Sequence, residues 1–202
     1  MESALTTEEK IRQAATRLFL EKGFDGTTTR DIAAEAGINV ALLNYYFRSK
    51  QKLFDSVFEE MLLLFFAGVN TVLRQPIPLR EKIVALIDHD FTTFRQSPDL
   101  VIFVLSELHR NPDLIVSSII DAEAKLTTLF QEQLEEAHRA GLIRSINASH
   151  LMSIMSANTQ SVFINKNVHL KLWNQTEEQF EAFALEHKKL IADMIINYLF
   201  IT

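Results

Sequence analysis

The sequence predicts an all-α protein, and three observations predict it. Apolar residues recur at helical spacing along most of the chain. Capping residues punctuate it at intervals of helix length. Five Gly and four Pro in 202 residues supply too little material for the many tight turns of a sandwich or barrel. The pattern resolves into about nine helices.

Taken in order, Thr6 with Glu9 reads as a capping box that opens the first helix. Its core face is Ile11, Ala14, Ala15, Leu18 and Phe19, and Gly23 ends it in the left-handed conformation. A turn, Phe24 to Thr27, leads to a second cap, Thr28 with Asp31. That cap opens a short helix with Ile32, Ala33 and Ala36 on one face, stopped by Gly37. Asn39 caps a third short helix carrying Leu42, Leu43 and Phe47. Ser49 caps a long one, from about Lys50 towards Arg74. Pro76 and Pro78 break the chain, and Ile83, Leu86, Ile87 and Phe91 mark a helix to about Gln96. Pro98 opens another to about Arg110, and Pro112 a long one ending at Gly141. A helix from about Ala148 to Asn165 precedes a loose stretch containing Trp173. Thr176 and Gln179 cap the last helix, which runs through about Phe200.

Composition narrows the function classes. With no cysteine, disulfide scaffolds, zinc-thiolate sites, iron–sulfur clusters and thiol nucleophiles are excluded. No basic-plus-apolar signal segment opens the chain, and the longest unbroken apolar run is Met61 to Ala67. A soluble intracellular protein is expected. Residues 1–55 hold eight Lys+Arg against eight Asp+Glu, and residues 56–202 hold twelve against eighteen. The net charge of −6 therefore belongs to the second part. Within the neutral part, Ala36 to Phe54 carries Arg48, Lys50 and Lys52 and no acid. Such a stretch fits a polyanion contact or a solvated loop.

The three short helices carry the most information. Helices of about eight residues are stable only when packed on neighbours. The second and third are joined by Ala36-Gly37-Ile38, where glycine permits a sharp reversal. This is the layout of a helix-turn-helix, whose second member enters the major groove. Asn39 can present an amide to base edges, and Asn44, Tyr45 and Tyr46 can hydrogen-bond phosphates or bases. Arg48 and Lys50 can hold phosphates. Thr28 and Thr29 offer hydroxyls and free N–H groups at a helix N-terminus.

Four runs stand in order here: Ile11 to Phe24 (IRQAATRLFLEKGF), Thr27 to Ala33 (TTTRDIA), Ala36 to Ile38, and Leu43 to Phe54 (LNYYFRSKQKLF). Through them, residues 6–60 resemble the DNA-binding domain of the TetR family of bacterial transcriptional repressors. The run Glu136 to Arg144 is also similar to that family. The resemblance implies a three-helix DNA-binding domain over residues 6–60 and a helical ligand-binding and dimerisation domain over residues 61–202. It implies that Tyr46 and Lys50 contact phosphates and that Thr29 and Arg30 lie near the major groove. It also implies that Asn39, Val40 and Ala41 set the operator sequence. Asn44 stands where the family commonly has a tyrosine. A cytoplasmic bacterial regulator follows, at the nucleoid when bound to its operator.

The remaining helices suggest a dimer and a ligand. The last carries Phe180, Phe183, Ala184, Leu190, Ile191, Met194, Ile195 and Leu199, a stripe wider than a surface helix needs. The helix before Trp173 carries Ser153, Ser156, Ala157 and Gln160, small or polar residues that allow close approach. A homodimer joined through both would read a palindromic operator on double-stranded DNA. Phe65, Phe66, Phe91, Phe94, Phe103 and Phe130 suggest an apolar interior for a small, largely apolar effector. Met61 to Ala67, apolar on every side, is expected to be enclosed. Phe66, Phe103, His89, His109 and Asn158 are candidate ligand contacts. No catalytic residue, metal, cofactor or membrane partner is expected. The rival reading is a helical-bundle enzyme or metal-binding protein. Di-metal bundles use two Glu-x-x-His motifs, and this chain has one, Glu135 to His138. His89 sits between Asp88 and Asp90, but helix neighbours diverge by about 100° and cannot easily share one site.

Overall fold

The computed structural model describes residues 5–110 and 112–201. Ten helices appear in chain order: α1 (Thr7–Gly26), α2 (Thr29–Glu35), α3 (Val40–Phe47), α4 (Lys50–Arg74), α5 (Leu79–Gln96), α6 (Pro98–Arg110), α7 (Pro112–Arg139), α8 (Ala148–Ile164), α9 (Lys166–Leu172) and α10 (Glu177–Leu199). Among the described residues the one β pairing is an isolated antiparallel bridge between Ile143 and Phe200.

The capping chemistry read from the sequence sets the boundaries. Thr6, Thr28 and Thr176 each close a capping box with Glu9, Asp31 and Gln179, and Asn39 accepts a bond from the Leu42 N–H at 2.8 Å. Gly23, at φ 69° and ψ 177°, kinks α1, and one further helical turn follows it. The tenth helix is α9, formed where a loose stretch was expected. It has no side-chain cap and no buried residue, so no local signal announces it. Its neighbours hold it instead: the His169 ring lies 4.3 Å from Trp173 and 4.4 Å from Phe183 of α10.

The chain forms two compact units. The first is Met1–Leu64 with Phe103–Ile119, and the second is Phe65–Ile102 with Ile120–Thr202. In the first, fully buried Ile11, Ala15, Phe19, Ile32 and Leu43 seat the three short helices on one another. Phe54 is the hub: Phe19 and Phe24 meet it edge-on at 4.9 Å, and Phe58 and Phe103 lie at 5.9 and 5.5 Å. Glu107, only 3% exposed, is held by Arg110, whose guanidinium also lies 4.3 Å from the centre of the Phe24 ring.

In the second unit α5 packs on α8 and α10. Its face Ile83, Leu86, Ile87, Asp90, Phe91 and Phe94 is buried. Buried Lys82 donates to the Leu73 carbonyl at 2.9 Å and to Gln133, closing the C-terminal end of α4. Burial pushes its pKa down. The His89 ring lies against the backbone of α4 at Gly68, and its Nε2 is 3.1 Å from the Phe65 carbonyl.

Among the described residues, α4 alone has the length and composition of a helix able to cross a membrane. The enclosure expected of Met61 to Ala67 is not found: Leu63 and Leu64 are 48% and 69% exposed, while Leu62 is buried. Two helical turns present every direction in succession, and neighbours cover only part of that circle.

Candidate nucleic-acid interface

The helix-turn-helix is built by α2 and α3. Gly37 takes φ 68°, and the Ile38 N–H bonds to the Ala33 carbonyl at 2.9 Å, which folds the chain back sharply. Leu43 and Phe47 bury one side of α3. The opposite side is left open, and Ala41, Asn44, Tyr45 and Tyr46 stand on it, Tyr45 being 78% exposed. The rings of Tyr45 and Tyr46 meet edge-on at 5.5 Å. Thr28, Arg30 and Asn39 are exposed, and Thr29, Val40 and Lys50 half-buried. All ten residues expected to face DNA thus lie within one run, 28–50, with none fully buried.

Several of them already have partners: the two helix caps that the sequence announced, at Thr28 and Asn39, and the contacts of Lys50, which it did not. The Thr28 hydroxyl and N–H both donate to the Asp31 carboxylate, at 2.7 and 2.9 Å. Those bonds hold the Asp31 carboxyl below the usual carboxylate range. An anion arriving at this helix end therefore meets a carboxylate and two occupied donors. Asn39 uses one lone pair of its amide oxygen as the cap, which leaves its NH2 group and the other lone pair for a base edge. Lys50 donates to the Phe24 and Thr27 carbonyls at 2.8 and 3.0 Å and lies 4.0 Å above the Phe24 ring. It ties α4 to the C-terminal end of α1, and the expected phosphate contact falls to its remaining N–H. Arg48 ends α3 at φ 60°, a left-handed conformation, and its side chain is exposed.

The ligand candidates are divided between the units. Phe103 packs on Phe54 and Phe58 in the first, which also holds exposed His109. Phe66 and His89 are half-buried in the second, and Asn158 is exposed, its amide donating to Ile154 in its own helix. The structure does not bring these five together in one unit. Of the residues expected at a dimer interface, Phe180, Ala184, Ile191, Ile195 and Leu199 are buried and belong to the core of their own protomer, because they lie on the α10 face that packs inward. Leu190 and Met194, at 50% and 71%, point outward with Tyr198 at 65%. Phe183, Ser156 and Gln160 are half-buried, and Ser153 and Ala157 exposed. Ile154 on α8 and Tyr198 on α10 are exposed apolar positions that the sequence pattern left unassigned.

Asp88, His89 and Asp90 diverge as their spacing requires. Asp88 pairs with Lys188, His89 sits on the Phe65 carbonyl, and Asp90 is buried. His138 bonds the Ile143 carbonyl through Nδ1. Among the described residues no three His, Asp or Glu side chains group as a metal site.

A helix-turn-helix with an exposed polar ridge on its second helix, joined to a second helical unit, defines a helix-turn-helix protein. Residues 11–57 match the model of the bacterial regulatory proteins of the tetR family. Over these residues, the ones that build the helix-turn-helix, the chain is similar to the TetR family. Over 141 residues it is 28% identical to the Bacillus subtilis protein named "Probable HTH-type transcriptional regulator YttP", covering 67% of this chain and 66% of that one. Two further curated regulators are matched over 62% and 57% of their lengths, so the chain spans less than two thirds of these relatives. Among solved structures, a transcriptional regulator from Saccharomonospora viridis in complex with choline superposes with a TM-score of 0.72 at 21% identity, covering 96% of this chain and 98% of that one. FadR from Bacillus subtilis in complex with stearoyl-CoA gives 0.65 at 17% identity, covering 91% and 96%. At these identities the likeness shows a shared fold.

Proposed function

We propose that the chain is a sequence-specific DNA-binding transcriptional regulator, a repressor released from a palindromic operator by a small molecule. The observation that carries this is the open face of α3, with Asn44, Tyr45 and Tyr46 exposed inside a stretch that holds three cations and no acid. The match of residues 11–57 to the family model and the curated relatives named as regulators support it, and they favour a regulator over a bundle enzyme. A cytoplasmic location at the nucleoid goes with this reading. Residues 6–60 would contact DNA, and residues 61–202 would hold the effector and the partner subunit. The solved relatives hold molecules as different as choline and stearoyl-CoA. The chain's own residues must therefore set the effector class.

Selection of binding sites from random duplex DNA tests the proposal, and a palindrome is the expected product. Enrichment of no sequence would overturn it. The roles of individual residues separate in the same assay. Lys50→Ala should weaken binding to every sequence and reduce the salt dependence by about one unit. Because Lys50 also anchors two carbonyls, this variant should unfold at lower temperature. Asn39→Ala should instead relax preference at particular base pairs, by about 1–3 kcal/mol. It should also lose a helix cap worth about 1 kcal/mol. Identical losses on all sequences from both variants would refute the division of roles.

We also propose a two-fold homodimer through α8 and α10. Leu190, Met194 and Tyr198 recur at i, i+4 and i+8 and form an exposed apolar stripe on α10, and Ile154 and Ala157 are exposed on α8, which packs against it. Replacing Leu190 and Met194 together by Glu places two charges in that stripe. Sedimentation should then show monomers at micromolar concentration, with operator affinity lost in parallel. A wild-type chain already monomeric there would sink the idea.

A further inference from the structure

Asp90 is an anomaly in the second unit. It lies on the buried face of α5, between Leu86 and Ile87 one turn before and Phe94 one turn after, and is 8% exposed. It makes no hydrogen bond or ion pair among the described residues. Every cation or imidazole close to it on α5 is engaged elsewhere. Lys82 is on the Leu73 carbonyl, His89 on the Phe65 carbonyl, and Arg95 on Glu181. Lys188 of α10, which packs against α5, is held by Asp88. Aromatic rings border the same face: Phe94 stacks on Phe65 at 6.0 Å, and Phe91 meets Phe163 at 5.1 Å.

A carboxylate taken out of water without a counter-charge is costly, and it either takes up a proton or is offset by a cation that reaches it. Aromatic faces nearby add attraction for an organic cation while accepting its hydrocarbon body. We propose that Asp90 anchors the positive charge of the effector, and that the effector is an organic cation, an amine or quaternary ammonium with an apolar body. This rests on the effector-binding reading above and narrows its ligand from apolar to cationic and apolar. Burial pushes the Asp90 carboxyl up to about 7. A bound cation favours the ionised form, so binding below neutrality releases a proton, and affinity rises with pH through that range.

Calorimetry on the full chain, in buffers of different ionisation enthalpy at slightly acid pH, tests this with decyltrimethylammonium, 1-decanol and decanoate. The ammonium carries no proton of its own, so any proton released comes from the protein. The expected result is ammonium binding with proton release, and at least about tenfold weaker binding of the other two, a difference of about 1.4 kcal/mol. Asp90→Asn should lose tenfold or more in ammonium affinity and abolish the proton release, while Asp88→Asn changes neither. Equal binding of decanol, ammonium binding without proton release, or an unchanged Asp90→Asn would each overturn the proposal. Should Asp90→Asn fail to fold, the decanol and proton arms on the wild-type chain still decide. DNA released by decanoate and not by the ammonium would overturn this inference and leave the regulator standing. A chain that binds the ammonium yet selects no DNA sequence would do the reverse.

Discussion

Replacing Arg110 by Ala should destabilise the first unit by about 3 kcal/mol or more. Arg110 holds Glu107 through contacts of 2.6 to 3.0 Å, and Glu107 is 3% exposed. Truncation leaves that carboxylate in the interior without a counter-charge and uncovers the Phe24 and Phe54 rings over which the guanidinium lies. Hydrogen exchange is the suitable readout, because the lone tryptophan, Trp173, lies in the other unit. Amides of residues 11–57 should lose roughly a hundredfold in protection where they exchange by opening of the unit. Removing both charges, as Glu107→Leu with Arg110→Met, should recover most of the loss, since apolar side chains of similar volume replace a buried pair at little cost. Unchanged protection in Arg110→Ala would show that the pair contributes nothing.

Gly68→Ala should also destabilise the chain, against the usual direction for a helix interior. Alanine is favoured over glycine there by about 1 kcal/mol. At this position, however, the new Cβ would stand 2.1 Å from His89 Cε1. The ring must leave, and its contact with the Phe65 carbonyl goes with it. A net loss of about 1–3 kcal/mol is expected, as for other overpacked sites. Adding His89→Ala removes the obstruction, so the double variant should be more stable than Gly68→Ala alone. Urea unfolding followed by Trp173 fluorescence reports on the correct unit. A single variant more stable than wild type would disprove the close approach.

The helix ends and the helix-turn-helix were legible in the sequence because their causes are local. A Thr three residues before an acid or amide, a glycine forced to positive φ, and apolar residues at helical pitch act within a few neighbours. They placed α1 to α3 and the start of α10 before any packing was known. The exposure of Asn44, Tyr45 and Tyr46 followed from burying Leu43 and Phe47 on the opposite face.

What only the tertiary structure decided is how side chains far apart in sequence spend their polar groups. Lys50, expected to be free for phosphate, is bound to carbonyls 23 and 26 residues earlier. Helix α9 has no cap and exists through rings on α10. Phe103 joined the first unit, and Ile191 turned into its own core. Asp90, one of three polar residues in a row, became a buried carboxylate because the pitch of α5 aimed it inward while Asp88 and His89 found partners. Local chemistry determines where a helix begins and ends. Which of its faces is inside depends on the neighbours that close over it, and those are brought together only by the fold.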